Sequence, residues 1–172
     1  SQSCEVMIPG ILGFILYGLQ NQIEDVNLYG GSKIRRFVMK KILSYILSLE
    51  SYMIKAVKRH SAFTPPVSFD TTIETAKEVI GIGCKMGEGW LLTAEMRDLA
   101  LAGYKNIICV QPFGCLPNHI VGKGMIRRLV DLDPTINIVP IDYDPGATRV
   151  NQENRIKLML AVANENRLEE LS

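Results

Sequence analysis

No two of the four cysteines, Cys4, Cys84, Cys109 and Cys115, stand in C-x-x-C spacing, which argues against a zinc ribbon, a thioredoxin motif or a ferredoxin loop. Scattered in this way they are expected to be reduced thiols of a cytoplasmic protein, since disulfides are rare in that compartment. No apolar run reaches the roughly 20 residues that a membrane-spanning helix needs. The most apolar stretch, Val6 to Leu19, is interrupted by Pro9, Gly10, Gly13 and Gly18. It also lacks the basic leader and small-residue cleavage site of a signal peptide, so it reads as a buried helix or a docking segment. A formal net charge of only +1 gives no expectation of a nucleic-acid partner. Repeats and low-complexity segments are missing as well.

What is present is an ordinary globular composition: 172 residues, 47% hydrophobic and 22% charged, enough for a domain with a sizeable core. The first residues, Ser1-Gln2-Ser3, include no initiator methionine, and the sequence reads as a piece of a longer polypeptide. The charge is uneven. Between Lys33 and His60 lie eight Lys/Arg residues and one acid, Glu50, so the remainder is net acidic. From about Ser32 to Arg59 the pattern predicts one long amphipathic helix. Val38, Ile42, Tyr45, Leu49, Tyr52 and Ala56 form a continuous seam, expected to pack on the core while the basic faces meet solvent, a partner or an anionic ligand. Thr64-Pro65-Pro66 marks a break, because the residue before a proline is pushed out of the helical region.

After the break the organisation changes. Asp70 to Val79 predicts a helix capped by Asp70 or Thr71, and Gly81, Gly83, Gly87 and Gly89 a glycine-rich loop. Trp90 to Ala102 predicts a helix with Gly103 as its C-terminal cap. Asn106-Ile107-Ile108-Cys109-Val110 suits a parallel strand buried on both faces. Leu116 to Asp131 is expected to be a helix, Ile136 to Ile141 a second strand, and Asn151 to Arg167 a final helix. This order predicts an α/β fold, a parallel-stranded Rossmann- or flavodoxin-like domain over residues 67–172, with strands near 106–111 and 136–141 and a helical N-terminal portion over 1–66. In such sheets ligands gather at the carboxyl ends of the strands. Here those ends are Gln111 to Cys115 and Asp142 to Gly146.

Cys115 is the first candidate. Phe113-Gly114 permits a tight turn, and Pro117 belongs in a first helical turn. A thiol at a helix mouth would be favoured as the thiolate that a metal, a cluster or an electrophile needs; the alternative is a small, unreactive cap residue. Cys109, inside the apolar strand, is expected to behave as a small hydrophobe, whereas Cys84 is free to approach Cys115 from its loop. His119 lies four residues beyond Cys115 on the same face, able to orient or ligate, or simply to be hydrogen-bonded structure. His60 reads as a solvated helix end. Gly81-Ile82-Gly83-Cys84-Lys85-Met86-Gly87 is one residue too long for a dinucleotide loop, though an anion at the helix beginning near Trp90 is conceivable. Asp142 and Asp144 are read either as a cation site or as an acidic turn.

Three segments together resemble one family: Gly87-Glu88-Gly89-Trp90-Leu91-Leu92-Thr93-Ala94-Glu95, Gln111-Pro112-Phe113-Gly114-Cys115-Leu116-Pro117-Asn118-His119, and Asp142-Tyr143-Asp144-Pro145-Gly146 with Asn151. The family is that of the 2-hydroxyacyl-CoA dehydratase-related proteins known as CoA-substrate-specific enzyme activases, or activators of (R)-2-hydroxyglutaryl-CoA dehydratase. The resemblance covers roughly residues 79 to 161 and is weaker before residue 70. It implies a portion of a long anaerobic polypeptide in which ATP-hydrolysing activase modules precede a region similar to the dehydratase subunits, this chain resembling the latter. It further implies that Cys115 ligates a [4Fe-4S] cluster, with Gln111 and His119 supporting it and the other ligands upstream. The resemblance does not match Cys84 or Cys109 to a particular ligand position. The implied function is electron transfer to an acyl-CoA substrate, with an activase module or a dehydratase subunit as partner and a homo-oligomer as a further option. Two readings compete. One is a non-enzymatic interaction module using the basic helix; the other is a CoA- or phosphate-binding domain using the glycine loop.

Overall fold

The computed structural model describes residues 4–60, 62–143, 146 and 148–170, with the backbone alone at 166, 167, 169 and 170. It is mostly helical, at 67%, with a two-stranded parallel sheet, and so broadly α/β. The chain divides into two compact units, one reaching to Thr75 and the other starting at Ala76.

The first unit is built on two helices, α1 (Ile11–Tyr29) and α2 (Lys33–His60), which pack on each other. Pro9 and Gly10 end the extended lead-in, and α1 stops at Gly30, whose φ of 79° a residue with a Cβ rarely adopts. Ser32 then caps α2, its Oγ accepting the Arg35 N–H at 3.2 Å. Arg35 donates to Gln22 and Arg36 to Asn27 across the short connection, each at 2.9 Å.

The sheltered side of α2 is not the expected one. Leu43 and Glu50 are buried and Met39, Ile46, Ile54 and Val57 half-buried, whereas Val38, Ile42, Tyr45, Leu49, Tyr52 and Ala56 are all exposed. Both rows have helical spacing, so periodicity alone did not decide which would be covered. The carboxylate of Glu50 accepts the backbone N–H of Phe69 at 3.2 and 3.3 Å, at the start of α3 (Phe69–Val79). Ser68 caps this helix, its Oγ accepting the Thr71 N–H at 3.4 Å. The expected cap at Asp70 or Thr71 is therefore displaced by two or three residues toward the N-terminus.

In the second unit, α4 (Gly89–Leu101) leads to β1 (Asn106–Pro112), and β2 (Asn137–Tyr143) pairs with it in parallel, Asn106 opposite Asn137 and Gln111 opposite Asp142. α4 ends as expected: Tyr104 N–H bonds to Leu99 O and Gly103 N–H to Ala100 O, with Gly103 at a φ of 95°, the pattern of a Schellman cap. α4 lies against β1, α6 (Arg149–Glu170) against β2, and α5 (Ile126–Leu132) precedes β2. Val79, Met96, Ala100, Ile107, Leu129 and Ile138 are at the centre of the core. β1 is not buried on both faces: burial alternates along it, and Val110 is 55% exposed. Among the described residues the sheet has two strands, so one face of β1 lacks the cover that a longer run of strands and helices would provide.

The continuous helix expected from Leu116 to Asp131 is interrupted. Asn118–Gly122 is a π-helix and Lys123–Met125 a 3₁₀ turn. The Thr93 hydroxyl donates to the Val121 carbonyl, drawing that acceptor toward α4. A Cβ at Gly122 would lie 3.0 Å from Cys109 Sγ and 3.1 Å from a Leu92 methyl, so this turn is pressed against strand and helix. Local widening of this kind recurs at functional sites.

Candidate site at the carboxyl ends of the strands

At the end of β1 the chain reverses through Phe113-Gly114. Cys115 N–H bonds to Pro112 O at 3.2 Å, and Gly114 has a φ of 73°, a turn that places Cys115 at the head of the irregular helical segment. His119 N–H bonds to Cys115 O at 3.0 Å, so the histidine lies one turn beyond the thiol. Cys115 is half-buried, while Phe113 and Leu116 on either side are exposed.

Gln111 is fully buried, and its Nε2 donates to Asp142 Oδ1 at 2.6 Å. This bond joins the ends of the two strands and gives Asp142 a structural partner. Asp144 and Pro145 lie outside the described residues. Gln111 Oε1, Asn118 Oδ1 and His119 Nδ1 are buried without a hydrogen-bond partner. Three such atoms within nine residues form an unusual concentration, because buried polar atoms are nearly always paired. Asn118 was not singled out from the sequence. Its signal was available, a polar residue next to His119 at the start of a helical turn, but only packing shows that it is buried.

The glycine loop reaches the same neighbourhood. Gly87, at a φ of 63°, is so close to Pro117 that a Cβ would lie 3.0 Å from the proline ring. Cys84 contributes its carbonyl, which accepts the Trp90 N–H at 2.7 Å at the start of α4, and its thiol is partly exposed. Cys109 is 3% exposed in the core, and burial pushes its thiol pKa up; it is a small hydrophobe, as expected. His60 is exposed at the end of α2.

Glu95 is a group the sequence reading passed over as chemistry. It lies half-buried on α4, and its carboxyl is pushed up to about 7, first by burial and then by the charge of Asp98. Two acids three residues apart on a largely apolar helix were the available clue.

No family model, curated protein or solved structure matches the chain. Among the described residues no group of three or more His, Cys, Asp or Glu side chains is placed to hold a metal ion. A [4Fe-4S] cluster takes four protein ligands, and Cys109 is committed to the core. What the site brings together is one partly exposed thiol, an imidazole one turn away, and a buried amide pair with unused acceptors.

Among the described residues, no helix is long and apolar enough to cross a membrane.

Proposed function

We propose that this chain is a portion of an anaerobic, cytoplasmic iron–sulfur protein related to 2-hydroxyacyl-CoA dehydratase and its activator. Within it, the unit starting at Ala76 is a Rossmann- or flavodoxin-like domain whose site is the carboxyl end of β1. Cys115 is the thiol offered to a [4Fe-4S] cluster, the other ligands coming from beyond the described residues. The activity class is ATP-driven electron transfer to an acyl-CoA-type thioester. Its ATPase belongs to an activase module and not to this chain.

One observation carries the reading. Of the two cysteines in the strand–turn–helix unit, Cys109 is sealed in the core and Cys115 is partly open at the strand end, where ligands of parallel sheets gather. Gln111 and His119 flank the thiol, and their unused polar atoms suit them to hydrogen-bond a bound group or its water.

Those same unpartnered atoms favour a second reading, in which the site binds a polar ligand such as CoA directly and the thiol is incidental. One experiment separates the two: iron and acid-labile sulfide content, with an anaerobic absorption spectrum, on the polypeptide that carries this chain and on its Cys115→Ala variant. The proposal expects a brown chromophore that is lost or becomes labile in the variant. Absence of iron from both proteins after anaerobic reconstitution would exclude a cluster, and saturable CoA binding by the iron-free protein would then establish the second reading.

A further inference from the structure

α2 is apolar on two sides, and only one of them is sheltered. The second row consists of Val38, Tyr45 and Tyr52 alternating with Ile42, Leu49 and Ala56, all exposed, with Tyr45 and Tyr52 at 65% and 70%. Spacings of four and three are those of the core positions of a coiled coil, sustained here over nearly three heptads. At the position preceding each of Ile42, Leu49 and Ala56 stand Lys41, Ser48 and Lys55. In a coiled coil that position flanks the seam and pairs with charges on the facing helix. Lys55 leans over the row, its ammonium group 5.9 Å from the Tyr52 ring centroid, and Lys41 lies over the neighbouring exposed Phe37 ring at 5.6 Å. The single acid of α2, Glu50, is buried and bonded to the Phe69 N–H. The exposed faces of the helix therefore carry bases and no acid.

We infer that this row is the docking site for an acidic amphipathic helix of a partner protein, which lies along α2 in heptad register and makes a third helix beside α1 and α2. The inference is independent of the thiol at the sheet end. Charge complementarity selects the occupant: acids on the incoming helix would face Lys41 and Lys55, where a second copy of α2 would set them against lysines if antiparallel and against the uncharged Met39, Ile46 and Met53 if parallel, with no acid in either case. The alternation of four and three is the spacing that a facing helix matches knob into hole, and Ile34, Phe37 and Met53 widen the exposed apolar face around it.

The test uses the intact chain and two labelled helical peptides of about 21 residues, three heptads each. Both have leucine at the seam; one has glutamate and the other lysine at the flanking positions. Fluorescence anisotropy is expected to show saturable binding of the glutamate peptide, weakening as salt is raised, and at least about tenfold weaker binding of the lysine peptide. Leu49→Glu is expected to abolish binding with an unchanged far-ultraviolet circular dichroism spectrum. Lys41→Glu combined with Lys55→Glu is expected to reverse the preference, and as these residues are exposed it serves as the test even if Leu49→Glu impairs folding. Equal binding of both peptides, or of neither, would overturn the inference. So would a dimer in sedimentation equilibrium that Leu49→Glu dissociates, or Leu49-dependent binding to phosphatidylserine vesicles with no binding to the glutamate peptide.

Discussion

Glu95 makes the stability of the second unit depend on pH in an unusual direction. Its carboxyl is pushed up to about 7 in the folded protein, burial acting first and Asp98 second, whereas a glutamate in an unfolded chain titrates near about 4.3. The folded state therefore holds this proton more tightly than the unfolded state. Stability associated with the group is complete below about pH 4, declines as pH rises, and reaches its lower level above about pH 7. The gap between the two values corresponds to at most about 4 kcal/mol, less whatever solvent screening the half-buried site retains. Glu95→Gln keeps the shape of the side chain and removes its charge. The variant is expected to match wild type near about pH 4 and to exceed it by about 2–3 kcal/mol at about pH 8. Urea unfolding followed by Trp90 fluorescence is the assay, because Trp90 is the only tryptophan, is fully buried, and lies on the same helix. A wild-type midpoint unchanged across this range, or a variant with the same pH slope as wild type, would refute the reasoning.

Three further outcomes are expected. Gly87→Ala combines a positive φ with a Cβ pressed onto the rigid Pro117 ring, and should destabilise the second unit by about 2–3 kcal/mol in urea unfolding. Gln111→Leu removes the donor to Asp142 and leaves that carboxylate without its bond, at a cost of about 1–3 kcal/mol by the same assay. Thiol labelling with a chromogenic disulfide reagent should modify Cys115 in the native protein, while Cys109 reacts only on unfolding. Cys115→Ala should remove one fast-reacting thiol and leave the slow one unchanged.

The local grammar of the chain was legible. The turn at Gly114, the Schellman cap at Gly103, the break at Thr64-Pro65-Pro66 and the parallel pairing of two apolar strands rest on backbone freedom, proline geometry and short-range patterning. Each involves residues only a few positions apart or a simple contrast between apolar and polar runs. The two strands run one or two residues further than the apolar runs suggested, to Pro112 and Tyr143, because pairing continues past the point where hydrophobicity ends.

Other features depend on contacts between distant residues. The start of α3 is set by Ser68 together with Glu50, nineteen positions earlier, so the nearby Asp70 was a reasonable but incorrect cap. The π-helix after Cys115 arises where the Thr93 hydroxyl takes the Val121 carbonyl, twenty-eight residues away, and nothing in Asn118 to Gly122 signals it. Gln111 at a strand end was visible as a polar residue, but its burial, its bond to Asp142 and its unused oxygen needed the second strand beside it. α2 shows the same division most clearly. Residue spacing determined that this segment is a helix with apolar rows. Which row is sheltered was decided only by packing in three dimensions, because two apolar rows on one helix satisfy the same period.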